Sequence, residues 1–153
     1  MRITVAVVGK PRDQGLAAAI REYETRAARY WPLEVREVRE EPARAGSADL
    51  VRQREGERLT ERVASHRVIA CDPAGEGMTS EAFAAWLQRA REQGRDMAFV
   101  IGGAYGLSPG FRDIAEARLT LAPWTLPHEL ARLVLAEQLY RAGTIVRGEP
   151  YHK

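Results

Sequence analysis

A chain of 153 residues, 45% apolar and 29% charged, has room for one domain with its own core, and this composition excludes a disordered chain. The net charge of +2 announces no polyanion binder; 21 of the 23 basic residues are arginine, a bias that codon usage explains as well as RNA contact does. The lone Cys71 excludes an internal disulfide and points to a reducing, cytoplasmic setting. The opening MRITVAVVGK is too short and too β-branched for a signal peptide, and no stretch has the length of a membrane span.

Arg2 to Gly9 predicts a buried strand ended by Gly9, Lys10 and Pro11. Leu16, Ile20, Tyr23, Ala27 and Tyr30 recur at three- and four-residue spacing, an amphipathic helix closed by Pro32. Leu33 to Val38 alternates apolar and charged residues, as a half-exposed strand does. Residues 40–46 (EEPARAG) read as a loop, after which Ser47 or Asp49 opens a polar helix to about Ser65. Arg67 to Asp72 predicts a third strand, stopped by Pro73 and Gly75. A helix from Ser80 with Phe83, Trp86, Leu87 and Ala90 on its buried face ends at Gly94. Met97 to Ile101 is a fourth strand, a short helix starts at Pro109, and Arg118 to Leu121 is a fifth strand. Pro127 opens the last helix, with Leu130, Leu133, Val134 and Leu139 on its apolar face.

Strands alternating with helices predict an α/β fold, a mostly parallel sheet with helices on both faces. Without a repeat or linker, residues 1–153 form one domain. Ligands of such sheets bind beyond the carboxyl ends of the strands, so the loops after Gly9, Cys71, Ile101 and Leu121 are the candidate site.

Gly106 to Gly110 matches the G-x-S-x-G of serine hydrolases. An elbow nucleophile needs the next residue's N–H for the oxyanion hole, however, and Pro109 has none. Ser108 instead reads as the cap of a helix whose first residue is proline. Gly102-Gly103-Ala104-Tyr105-Gly106 lacks dinucleotide-fingerprint spacing, and Gly9-Lys10 lacks the rest of a phosphate loop. His66, His128, His152 and Cys71 sit in separate segments without metal-ligand spacing, so no metal is expected. Two adjacent glycines after a strand form either a simple turn or a backbone that lets a flat ligand come close. Pro123, Trp124 and Pro127 stiffen the next loop; Trp124 either walls a pocket or caps the core, and His128 is either a helix-start residue or a base. The terminal Tyr151, His152 and Lys153 are either a frayed end or a set able to stack on a base, hold a proton and meet phosphate.

Taken together, ITVAVVGK, VIGGAYGLS, TLPHELARLVLAEQLYRA and the terminal RGEPYHK resemble, over the whole chain, the ribosomal RNA large subunit methyltransferase H family, small bacterial enzymes of the SPOUT class. The resemblance implies a C-terminal trefoil knot, a homodimer, and S-adenosylmethionine as methyl donor. The implied reaction is methylation of N3 of a pseudouridine in a large-subunit rRNA loop, on the assembled ribosome. Carried over by position, the cofactor pocket comprises Cys71, Gly102, and Leu121, Ala122, Pro123, Trp124, Thr125 and Leu126. Cys71 stands where the family often has leucine, and LAPW falls in a variable loop. Loss of the N3 proton calls for a base, His152 first and His128 second, with Tyr151 on the target base and Arg141 holding a phosphate or the developing anion. The alternatives are a SPOUT enzyme for another RNA and a non-catalytic, ribosome-associated knotted protein.

Overall fold

The structure, a computed structural model, describes residues 1–42, 44 and 46–153, so residues 43 and 45 of the expected loop lie outside the described residues. In chain order the elements are β1 (Ile3–Val8), α1 (Gln14–Ala27), β2 (Leu33–Val38), α2 (Ala48–Val63), β3 (Arg67–Glu76), α3 (Ser80–Glu92), β4 (Met97–Ile101), α4 (Pro109–Ile114), β5 (Ala117–Leu119) and α5 (His128–Val146). The sheet order is β2-β1-β4-β3-β5, and all four pairings are parallel.

Central strands of a parallel sheet are covered on both faces and so read as unbroken apolar runs. In β1, Ile3, Val5 and Val7 point into one core with Ile69, Met97 and Phe99, against Ala27, Phe83, Leu87, Leu135 and Leu139 of α1, α3 and α5. Ala6 and Val8 point the other way, with Ala70, Ala98 and Val100, against Leu59 and Val63 of α2 and Phe111 of α4. Helices therefore cover both faces, as expected. Each fully buried Phe or Leu contributes about 1.5–3 kcal/mol.

Local signals set most boundaries. Asp13, Ser47, Thr79 and Ser108 are the N-caps of the first four helices, each accepting a backbone N–H three residues on. Gly94, at φ +64°, follows α3 in the left-handed region that favours glycine.

Four expectations need correction. Pro73 and Gly75 do not stop β3: Cys71 and Glu76 both pair with Leu119 across a register shift, and the strand continues to Glu76. Only glycine fits at 75, because a Cβ there would stand 2.7 Å from backbone carbons of Arg118 and Leu119. β5 runs from Ala117 to Leu119 rather than to Leu121: the Thr120 N–H makes a last bond to the Glu76 carbonyl at 3.0 Å, and the Thr120 hydroxyl donates ahead to the Ala122 carbonyl, 2.5 Å away. Along α5 the buried stripe is Arg132, Leu135, Ala136, Leu139 and Ala142. Of the apolar face expected there only Leu139 lies on it; Leu130, Leu133 and Val134 sit to one side, half-buried. In α3, Ala84 is buried while Trp86 is half-buried.

Candidate active site

Beyond the carboxyl ends of the strands lies a cavity of about 510 Å³. Its walls come from Cys71–Pro73 of β3, Ile101–Ala104 with Gly106 and Leu107 after β4, Arg112 of α4, the loop after β5, and His128 and Ala131 of α5. Of the eight residues assigned to the cofactor, Cys71, Gly102, Leu121, Ala122, Trp124, Thr125 and Leu126 line it; Pro123 does not.

The glycine turn folds on itself. The Gly106 N–H donates to the Gly103 carbonyl at 3.0 Å, with Gly106 at φ +75°. A Cβ at Gly102 would meet the Gly106 carbonyl carbon at 2.6 Å, and one at Gly103 would meet Oε2 of Glu55 at 2.6 Å. The crowding that requires these two glycines thus comes from the turn and from α2 beneath it. Glu55 is a buried carboxylate whose Oε1 accepts the Glu41 N–H at 3.1 Å, while Oε2 has no hydrogen-bond partner. Burial raises its pKa above the usual carboxylate value.

Cys71 is only partly exposed, and burial of its thiol pushes its pKa up to about 12, which makes it a packing group rather than a nucleophile. Trp124 is 78% exposed at the cavity rim, so it walls the pocket and does not cap the core. Ser108 accepts the Phe111 N–H at 3.1 Å, which spends its hydroxyl on the helix cap.

The three residues assigned to catalysis meet, but not at this cavity. Arg141 reaches Oε1 of Glu137 through Nε at 3.0 Å and Nη2 at 2.6 Å, and the Tyr151 hydroxyl donates to the same oxygen at 3.1 Å. The Arg141 guanidinium lies 4.7 Å from the Tyr151 ring centre. His152 stands with Nδ1 3.3 Å from Nη1 of Arg141 and Nε2 2.9 Å from Oε1 of Glu81. Arginine can only donate, so this network assigns the proton to Nε2 and the lone pair to Nδ1. The Glu81 carboxyl is held below its usual range by its own backbone N–H and by His152. Arg141, Tyr151 and His152 are absent from the cavity wall, whereas His128, the second candidate base, is on it.

Sequence reasoning missed Glu137 and Glu81, which organise the tail, and Asp72 and Arg112 on the cavity wall. Asp72 was within reach, being the residue after Cys71 at a strand end. Arg112, one arginine among 21, carried no signal. Among the described residues no cluster of His, Cys, Asp or Glu could hold a metal ion, and no helix is long and apolar enough to cross a membrane.

Two solved structures share the fold: a probable methylase family protein from Haemophilus influenzae Rd KW20 and a probable methyltransferase from Bordetella pertussis Tohama I. The first has a TM-score of 0.60 at 13% identity over 99% of this chain and 70% of that one. The second has a TM-score of 0.52 at 14% identity over 92% and 95%. Sequence relatives are far closer. A ribosomal RNA large subunit methyltransferase H of Gemmatimonas aurantiaca is 64% identical over 154 aligned residues, and one of Anaeromyxobacter sp. (strain Fw109-5) is 51% identical, each alignment covering 100% of both chains. The family described as "Predicted SPOUT methyltransferase" matches residues 1–152. With Cys71, the glycine turn and the loop after β5 gathered around one strand-end cavity and a family match along almost its whole length, this chain belongs to the SPOUT methyltransferases.

Proposed function

We propose that the chain transfers a methyl group from S-adenosylmethionine to N3 of a pseudouridine in large-subunit rRNA, as a homodimer working on assembled ribosomes in the cytoplasm. The strongest support is that Cys71, the glycine turn and the Leu121–Leu126 loop, far apart in sequence, surround one cavity. Relatives at 64% and 51% identity carry the rRNA methyltransferase name. The cavity also suits the cofactor: its volume is in the range of small-molecule sites, and Ile101, Leu121 and Leu126 offer an apolar wall for a purine. One buried oxygen on that wall, Oδ2 of Asp72, lacks a hydrogen bond. Residues 121–126 lie outside helix and strand, and among the described residues their backbone N–H groups have no partner, which leaves them available to a base edge.

When bound, S-adenosylmethionine supplies a methyl group on a cationic sulfur. The chain has to add position and a path for the N3 proton. His152 serves as the acceptor through Nδ1, whose lone pair is free once Arg141 is drawn to an RNA phosphate; Glu81 keeps the ring oriented from the other side. Glu137 holds Arg141 and Tyr151 on one carboxylate oxygen until RNA competes for the arginine. Because this trio is not on the wall of its own chain's cavity, a second copy has to bring it to a methyl donor. The half-buried Leu130, Leu133 and Val134 beside the buried stripe of α5 support such pairing. The C-terminal trefoil knot belongs to the same proposal, and the close approach of the Gly75 backbone to that of Arg118 and Leu119 is compatible with it.

The test is methyl-labelled S-adenosylmethionine with ribosomes from a strain lacking the enzyme, followed by mapping of the label on rRNA. Label at a single pseudouridine is expected. Cofactor binding without label on ribosomes would point to a SPOUT enzyme for a different RNA, and weak or no cofactor binding without transfer would favour the non-catalytic reading.

A further inference from the structure

Asp72 and Arg112 face each other on the cavity wall, and among the described lining residues they are the one acid and the one arginine. Nε of Arg112 stands 2.7 Å from Oδ2 of Asp72. Yet neither atom has a hydrogen-bond partner, so the N–H is not aimed at the oxygen. The charges are in contact while their directional bonding is unspent. Asp72 is 4% exposed and fixed, because its Oδ1 accepts the Ala74 N–H at 2.9 Å. Arg112 is the more open partner: it lies on the short α4 with 37% of its side chain exposed. A buried carboxylate needs an opposite charge at all times, since its desolvation is too costly to leave uncompensated.

We infer that Asp72 and Arg112 form a receptor for a zwitterion, the amino-acid end of the cofactor: Asp72 takes the ammonium and Arg112 the carboxylate. The exchange is charge-neutral. Each wall charge gives up its internal partner for a ligand group of the same sign as that partner, so no buried charge is stranded at any stage. The ligand's ammonium brings three N–H donors that can rotate onto Oδ2, and its carboxylate matches the fork of the guanidinium. The apolar walls of Ile101, Leu121 and Leu126 are left to the adenosine end. The assignment rests on the cofactor reading given above.

Calorimetry with two uncharged-sulfur ligands separates the two ends of the molecule. S-adenosylhomocysteine carries the amino acid, and 5′-methylthioadenosine lacks it. The native protein should bind S-adenosylhomocysteine at least tenfold more tightly. Arg112→Ala and Asp72→Asn should each weaken S-adenosylhomocysteine roughly 10- to 100-fold, the scale of charge-assisted hydrogen bonds, and leave 5′-methylthioadenosine within about twofold. Arg112→Lys should restore part of the preference. Arg112 is partly exposed, so Arg112→Gln keeps the test open if Asp72→Asn fails to fold. An unchanged ratio of the two affinities in the folded Arg112 variants would overturn the receptor while leaving the cofactor site standing. Binding of neither ligand by the native protein would instead overturn the cofactor reading, and the receptor with it.

Discussion

Two buried groups near the cavity have their chemistry set by exclusion from water. Burial pushes the Cys71 thiol up to about 12, so the protonated, unreactive form dominates near neutral pH. Iodoacetamide should therefore label native protein far more slowly than urea-unfolded protein; equal rates would show that the thiol is open to solvent. Glu55 is subtler. Burial raises its pKa, a Glu41 backbone N–H and Arg58 pull it down, and Glu40 and Glu41 add to the rise. Its folded value stands above its unfolded one, so it favours folding fully at low pH, and that contribution is lost as pH rises through the folded value. Glu55→Gln removes the effect. Urea unfolding from pH 4 to 9 should show the variant gaining on the native protein as pH rises and then levelling off. A difference independent of pH would mean that the acid is not perturbed.

Among elements, close backbone approaches set the tolerances. A Cβ at Gly143 of α5 would stand 2.3 Å from Cγ of Tyr30, beyond the end of α1. Gly143→Ala should cost about 1–3 kcal/mol, read as a lower urea midpoint. At Gly102 the collision is with the Gly106 backbone, so Gly102→Ala should open the turn and weaken S-adenosylhomocysteine binding at least tenfold, with a smaller effect on the melting temperature. A variant that binds normally would show that the turn's shape is not needed. Most of these elements were legible from the chain: β4 matches its expected bounds, and Ser108 with Pro109 marked the start of α4. The misses share a cause. The extension of β3 through Pro73 depends on pairing with a strand more than 40 residues later, which local proline and glycine signals cannot report. The buried stripe of α5 was misread because Leu130, Leu133 and Val134 are apolar yet lie off the buried stripe, and apolar spacing alone does not say which side of a helix meets the core. The loops around the cavity, after Cys71, Ile101 and Leu121, were legible from the alternation of strands and helices, and the family resemblance singled out residues within them; the Asp72–Arg112 pair needed coordinates.

For the whole molecule, the proposed homodimer rests on the half-buried apolar residues of α5 and on the absence of Arg141, Tyr151 and His152 from the cavity wall. Leu133→Glu should shift sedimentation from dimer to monomer and abolish methyl transfer to ribosomes. A monomeric variant that retained full turnover would show that one chain suffices. Mixed dimers give a sharper result. If one subunit carries Arg112→Ala and the other His152→Ala, the two lesions fall in the same composite site or in different ones, and activity of the mixture shows which.

The sheet order also has a consequence in time. Ile3 of β1 pairs with Met97 of β4, while its other neighbour, β2, is only about 30 residues away. At synthesis rates of about 5–20 residues per second, β1 waits roughly 4 to 18 seconds after emerging before its second partner exists. During that wait one edge of β1 is unpaired, and Ile3, Val5 and Val7 have no α5 to cover them. A nascent chain stalled before residue 97 should therefore be bound by chaperones and cut readily by protease, and protection should appear only when the central strand can dock.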